Sequence, residues 1–133
     1  MEPSEIRPLL RQGPPRARIA IVGASNDRRK YGNIILRDLL RKGYQVVPVN
    51  PLHPQVEGIR TEASVTAVVD VVDVVDFVVP PEVTLAVLGE LDPTSPCVLW
   101  LQPGSFDRAV LDLVAARGFE RVIAGDCIMV ETR

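Results

Sequence analysis

The chain has 133 residues, 47% hydrophobic and 24% charged, which fits one folded domain with its own core and argues against disorder. Its 15 Lys and Arg against 17 Asp and Glu leave a net charge of −2, without the basic excess of a nucleic-acid binder. One histidine and two cysteines set thirty residues apart, Cys97 and Cys127, are too few for a Cys/His metal site, so no metal is expected. The N-terminus lacks the apolar stretch of a signal peptide, and no apolar run approaches the ~20 residues that span a bilayer. The expectation is a soluble protein of a reducing, cytoplasmic compartment, with neither membrane nor nucleic acid as partner.

In chain order, residues 1–16 read as a short amphipathic helix and a connector. Ser4 is placed to cap the helix and Gly13-Pro14-Pro15 to end it. The regular core spans residues 17–130. Ile19-Ala20-Ile21-Val22 is a continuous apolar run, the pattern of a strand covered on both faces. Ile34, Ile35, Leu36, Leu39 and Leu40 then recur at helical spacing, with Gly43 as the stop. Residues 45–49 form the second expected strand, rich in β-branched side chains. The stretch 51–73 is weakly patterned, with a brief extended piece at 57–60 and a short helix at 63–69. Residues 74–79, 97–101 and 121–124 complete the strands, separated by helices at 82–91 and 105–117.

Strands alternating with helices imply βαβ units, a parallel sheet and right-handed crossovers. The fold expected is α/β: a single-domain, Rossmann-like three-layer sandwich with a five-stranded parallel sheet in the order 3-2-1-4-5. Ligands of such sheets bind beyond the carboxyl ends of the strands, where the strand order reverses, here between strands one and four. The residues at that rim are Gly23-Ala24-Ser25-Asn26, Asn50-Pro51, Pro80-Pro81, Gln102-Pro103-Gly104 and Gly125-Asp126-Cys127. The first loop carries the strongest signal. Gly23 permits a tight exit, Ser25 brings a hydroxyl, and Arg28, Arg29 and Lys30 stand before a helix N-terminus, an arrangement suited to phosphate. A dinucleotide site would add a second glycine and an acid at the end of strand two. This chain has Ser25 and Asn50-Pro51 instead, which points away from NAD.

The segments VGASNDRRKYGNIILRDLLRKGYQVVPVNP, DFVVPPE, LWLQPG and GDC resemble, in order and spacing, the stand-alone coenzyme A-binding proteins. These are relatives of the CoA-binding domain of succinyl-CoA ligase α-subunits and ADP-forming acyl-CoA synthetases. The resemblance covers residues 19–130 and implies coenzyme A or an acyl-CoA as ligand. It implies that Gly23, Ala24, Ser25 and Asn26 wrap the diphosphate, with Lys30 of the Lys30-Tyr31-Gly32 element facing phosphate. It sets Asn50 and Pro51 near the adenosine, and Val79, Pro80 and Pro81 along the nucleotide and pantetheine. Gln102, Pro103 and Gly104 match a further turn of the family, and Cys127 a cysteine after the last strand. Relatives often carry a cation just after the Asn-Pro pair. This chain has Leu52 and His53 there, so the 3′-phosphate would fall to His53 or to Arg28 and Arg29.

Signs of catalysis are sparse. His53 reads as an exposed loop residue, and Cys127 as an inert thiol with nothing basic adjacent. Asp70, Asp73 and Asp76 read as turn-making or solvated carboxylates, and Trp100 and Phe77 as core. The function expected is non-catalytic binding of CoA or acyl-CoA. The alternatives are an NAD(P)-binding redox or sensor domain and a subunit that completes a CoA ligase with a separate protein partner.

Overall fold

A computed structural model describes residues 1–133. In chain order the elements are α1 (Pro3–Leu10), β1 (Arg18–Val22), α2 (Tyr31–Arg41), β2 (Gln45–Val49), β3 (Gln55–Val56), β4 (Ile59–Arg60), a 3-10 turn (Val65–Ala67), β5 (Val74–Phe77), α3 (Pro81–Glu90), β6 (Val98–Leu101), α4 (Arg108–Arg117), β7 (Val122–Ala124) and α5 (Ile128–Glu131). No helix is long and apolar enough to cross a membrane.

The fold is a Rossmann-like α/β sandwich around a five-stranded parallel sheet, as the alternation of strand and helix implies. The period of two along β1 divides the core into two layers. Ile19 and Ile21 join Trp100 and Ile123 beneath Ile6 and Leu10 of α1, Ile35, Leu36 and Leu39 of α2 and Ile128 of α5. Ala20 and Val22 join Val75, Phe77, Leu99 and Leu101 on the other face, beneath Leu88 of α3 and Val110 of α4. Trp100 is fully buried, and its indole N–H donates to the Asp126 carbonyl at 2.8 Å, pinning the loop after β7.

Helix ends follow local chemistry, with two departures from the sequence reading. α1 begins at Pro3 because Glu2, not Ser4, occupies the cap, its N–H donating to the Glu5 carboxylate. α4 begins at Arg108 because Asp107 caps it, accepting from the Val110 N–H at 3.0 Å. Ser105 instead closes the preceding turn by donating to the Gln102 carbonyl at 2.7 Å. Residues 55–60 form an antiparallel hairpin rather than one extended piece, and Glu57 and Gly58 make its turn at φ 49° and 77°.

The strand order is β2-β1-β5-β6-β7, and Glu62 bridges Val49 in parallel on the outer side of β2. The 3-2-1-4-5 pattern is met with the Glu62 bridge in its outermost place. The strand at Val74–Phe77 accordingly lies beside β1 rather than outside β2. Pro48 supplies the reason. In a parallel ladder the N–H and C=O of one residue point to the same side. The Pro48 carbonyl accepts from the Glu62 N–H at 2.9 Å on the outer side, so the N–H that proline lacks is missing only from the edge. β2 is therefore the edge strand of the main sheet, and β5, buried at all four residues, takes the interior place. The reversal of strand order falls between β1 and β5.

Asp76 is the costly residue of this core. Expected as a solvated carboxylate, it is fully buried in β5 between Ile21 and Trp100, and neither carboxyl oxygen has a hydrogen-bond partner. Burial holds its pKa well above the usual carboxylate range, so the folded chain holds the proton to higher pH than the unfolded one. The unfolded chain releases it near pH ~4. Stability from this group is thus full below that pH and is lost as pH rises toward the folded-state pKa. Urea unfolding across the weakly acidic to neutral range will show a falling midpoint in the native chain, and Asp76→Asn will remove the part of that slope due to Asp76. Asp76→Val, which deletes the unpaired group, will stabilise the fold at neutral pH by about 1–3 kcal/mol.

Candidate functional site

The loop between β1 and α2 is built on two glycines. Gly23 leaves the strand at φ 92°, and a Cβ there would lie 2.2 Å from the Val78 carbonyl oxygen. A Cβ on Gly32 would lie 2.0 Å from the Gly23 carbonyl oxygen. The first turn of α2 therefore abuts the end of β1, and the chain between them is thrown over the end of the sheet.

Two asparagines then decide which way the loop's peptide groups point. Asn33, fully buried, donates its side-chain amide to the Ser25 carbonyl at 2.8 Å. Asn50 donates to the Ala24 carbonyl at 3.0 Å and accepts from the Leu52 N–H at 2.8 Å. In a trans peptide the C=O and the N–H point in opposite directions. Holding the Ala24 and Ser25 carbonyls thus turns away the N–H groups of Ser25 and Asn26. Neither of these N–H groups finds an acceptor in the chain, and the same holds for the N–H groups of Ala24, Tyr31 and Gly32. Buried backbone donors are nearly always paired, and Ala24 is buried, so this run of free donors at a helix N-terminus has the character of an anion nest.

Ala24, Ser25, Tyr31 and Gly32, which carry four of these donors, line a cleft of about 420 Å³. Gly23, Ala24, Ser25, Lys30, Tyr31, Gly32, Asn50, His53, Val79 and Pro80, all singled out from the sequence, line it together. Pro51 lines two adjoining cavities instead. Asn26 braces the site instead of lining it. Its side chain donates to the Gln55 carbonyl at 3.0 Å and accepts from the Glu57 N–H at 2.9 Å, clasping the β3–β4 hairpin. Pro81 serves as the first residue of α3. Gln102, Pro103, Gly104 and Cys127 lie further along the rim, outside this cleft. Gln102 is buried as a brace, its side chain accepting from the Ile128 N–H at 2.8 Å and donating to the Cys127 sulfur at 3.5 Å.

The cations of the loop are not equivalent. Arg28 pairs with Glu57 at 2.7 Å and Arg29 with Asp27 at 3.1 Å. Hydrogen bonds from these arginines hold both carboxyls below the usual range, that of Asp27 through Arg29 and that of Glu57 through Arg28. Lys30 has no such partner and is exposed at the cleft. No three His, Cys, Asp or Glu side chains cluster as a metal site would require.

Two features escaped the sequence reading. One is an apolar cavity of about 250 Å³ between β1, β2 and α3, lined by Val22, Val49, Pro51, Val65, Val79, Val83 and Val87 with Ser64, Thr66 and Glu90. The valine content was legible, but not that α3 and the 3-10 turn stand apart there. The other is Arg60, which reaches the rim on β4. The Glu57-Gly58 dipeptide between Val56 and Ile59 was the signal for that hairpin.

The fold and the loop define a Rossmann-like protein that turns free backbone amides and one unpaired lysine toward an open strand-end cleft. Residues 17–133 match the model of the CoA binding domain, and the chain belongs to that family. It is similar to a conserved hypothetical protein of Pyrococcus furiosus at 45% identity and TM-score 0.79, over 87% of this chain and 99% of that one. The Bacillus subtilis protein YneT is 26% identical over 127 residues, 96% of this chain and 91% of its own. The dinucleotide forming acetyl-coenzyme A synthetase 1 of Candidatus Korarchaeum cryptofilum aligns with 82% of this chain at 27% identity and TM-score 0.63, across 25% of its own length.

The glycine contact is testable. Gly32→Ala must push the Gly23 peptide away, costing on the order of 1–3 kcal/mol as an overpacked substitution. A lower urea midpoint with an unchanged m-value is the expected result.

Proposed function

We propose that this protein binds coenzyme A or an acyl-CoA non-covalently in the strand-end cleft and catalyses no reaction alone. The observation that carries the reading is the set of acceptor-free N–H groups of Ala24, Ser25, Tyr31 and Gly32, residues that line one cleft with Lys30. A diphosphate satisfies such donors, aided by the helix dipole and the lysine charge. The adjoining apolar cavity suits an adenine ring between Pro51 and Val79, with the Glu90, Ser64 and Thr66 side chains offering polar contacts. The pantetheine arm would run past Val79 and Pro80 toward Gln102, Pro103 and Gly104. Membership of the CoA binding domain family supports the same ligand.

Other features favour binding over chemistry. The ring of His53 is exposed and hydrogen-bonded to no hydroxyl or thiol, and the Cys127 sulfur is in contact with the Gln102 amide rather than with a base. An NAD-type ribose contact would need a free acid at the end of β2. Asn50 is there, and both ends of its side chain are committed to the loop.

Thermal unfolding with CoA, acetyl-CoA, NAD and NADP tests the reading. Ligand at about 100 times its Kd adds roughly 2.7 kcal/mol to stability, a clear rise in Tm. CoA and acetyl-CoA will raise the Tm and the nicotinamide dinucleotides will not. Lys30→Ala will weaken CoA by roughly tenfold, as expected for one charge-assisted contact. A shift with NAD or NADP alone would refute the proposal.

A further inference from the structure

We propose that Arg60, carried by the β3–β4 hairpin, is the residue that receives the ribose 3′-phosphate and so makes the protein select CoA over dephospho-CoA. The assignment rests on the CoA reading of the cleft and goes beyond it. Among the basic side chains around the site, Arg28 and Arg29 are engaged by Glu57 and Asp27, and Arg37 donates to the Asn33 side chain at 2.7 Å. Of the lysines and arginines that line these cavities or the loop beside them, only Lys30 and Arg60 have neither a carboxylate nor another side-chain hydrogen-bond partner. They line two different cavities of about 420 Å³ each, which share Asn50, Leu52 and His53. One free cation therefore stands on each side of the Asn50–His53 turn.

That spacing matches the chemistry of the ligand. CoA has two separate anionic groups, a diphosphate on the 5′ side of the ribose and a phosphate on its 3′ oxygen. With the diphosphate on the amides beside Lys30 and the base in the cavity under Pro51, the ribose lies over the Asn50-Pro51 turn. Its 3′ oxygen then faces the second cavity, where Arg60 and His53 stand. A guanidinium offers a planar pair of donors to phosphate, which makes arginine well suited to this position.

The hairpin is built to hold that arginine still. Val56 is fully buried, and the Asn26 side chain clasps the strand at Gln55 and Glu57. Arg28 pairs with Glu57, and the Thr61 N–H donates to the Pro54 carbonyl at 3.1 Å. Beyond Arg60, the Glu62 N–H donates to the Pro48 carbonyl at 2.9 Å and its carbonyl accepts from the Asn50 N–H at 2.9 Å. The loop that holds the diphosphate and the strand that presents Arg60 are thus joined through Asn26.

Calorimetric titration of the full chain with CoA and with dephospho-CoA tests the assignment. The native protein should bind CoA about tenfold or more tightly than dephospho-CoA. Arg60→Gln should bring CoA down to the dephospho-CoA affinity while leaving dephospho-CoA within about twofold, and Arg60→Lys should restore part of the preference. Lys30→Gln should weaken both ligands and keep their ratio. Arg60 is exposed and makes no contact the fold needs, so the variants remain folded, which circular dichroism will verify. Equal binding of the two ligands by the native chain, or an Arg60→Gln variant that retains the ratio, overturns the assignment while the CoA reading stands. Failure of the native chain to bind either ligand overturns both.

Discussion

Gly32 comes so near Gly23 that a single added carbon would lie 2.0 Å from the Gly23 carbonyl oxygen, and the geometry of the candidate site follows from that approach. It brings the start of α2 against the end of β1 and forces the intervening residues over the end of the sheet. Asn33 and Asn50 can then reach the loop's carbonyl groups. Because each peptide is planar and trans, every carbonyl held inward leaves an amide directed away from it. The unpaired donors are a consequence of satisfying the acceptors. Folding leaves polar groups unpaired where a ligand can complete them, at the positive end of a helix dipole.

Pro48 has a comparable influence at the level of the sheet. Its missing N–H is harmless only on the outer side of an edge strand, so β2 stays at the edge and β5 occupies the interior. The crevice consequently opens between β1 and β5, with Val78, Val79 and Pro80 as its second wall. The same edge is closed at its end by Glu62, which ties the connection after the hairpin to Pro48 and Asn50. One proline thus bears both on where the crevice lies and on which segment covers its flank.

The unpartnered Asp76 and the clasped hairpin show opposite ways of handling polar groups. Asp76 is carried into an apolar layer with no compensation, and burial shifts it toward the protonated form, at a standing cost to stability. Asn26, although exposed at its hydrogen bonds, has both ends of its side chain paired and couples two loops that are distant in sequence. The first weakens the fold as pH rises, whereas the second stiffens the rim of the cleft.

The sequence alone determined the alternation of apolar runs and helical stripes, and with it the parallel five-stranded sheet and its two covered faces. It also marked most of the cleft. Gly23, Ala24, Ser25, Lys30, Tyr31, Gly32, Asn50, His53, Val79 and Pro80 stand at or near strand ends, and a parallel sheet brings its strand ends to one rim. Those features have periods of two or 3.6 residues and local turn chemistry, so they can be read within a short window. Tertiary structure decided which segment neighbours which, that the Asn26 and Asn50 side chains tie the loops together, that Asp76 is buried, and that Arg60 is unpaired while Arg28 is not. These depend on partners distant in the chain, Glu57 for Arg28 and Trp100 across the sheet from Asp76 on one side and Ile21 on the other. Arg29 finds Asp27 within two residues, but whether Arg28 or Arg60 is paired depends on neighbours that folding supplies, and no local pattern encodes that.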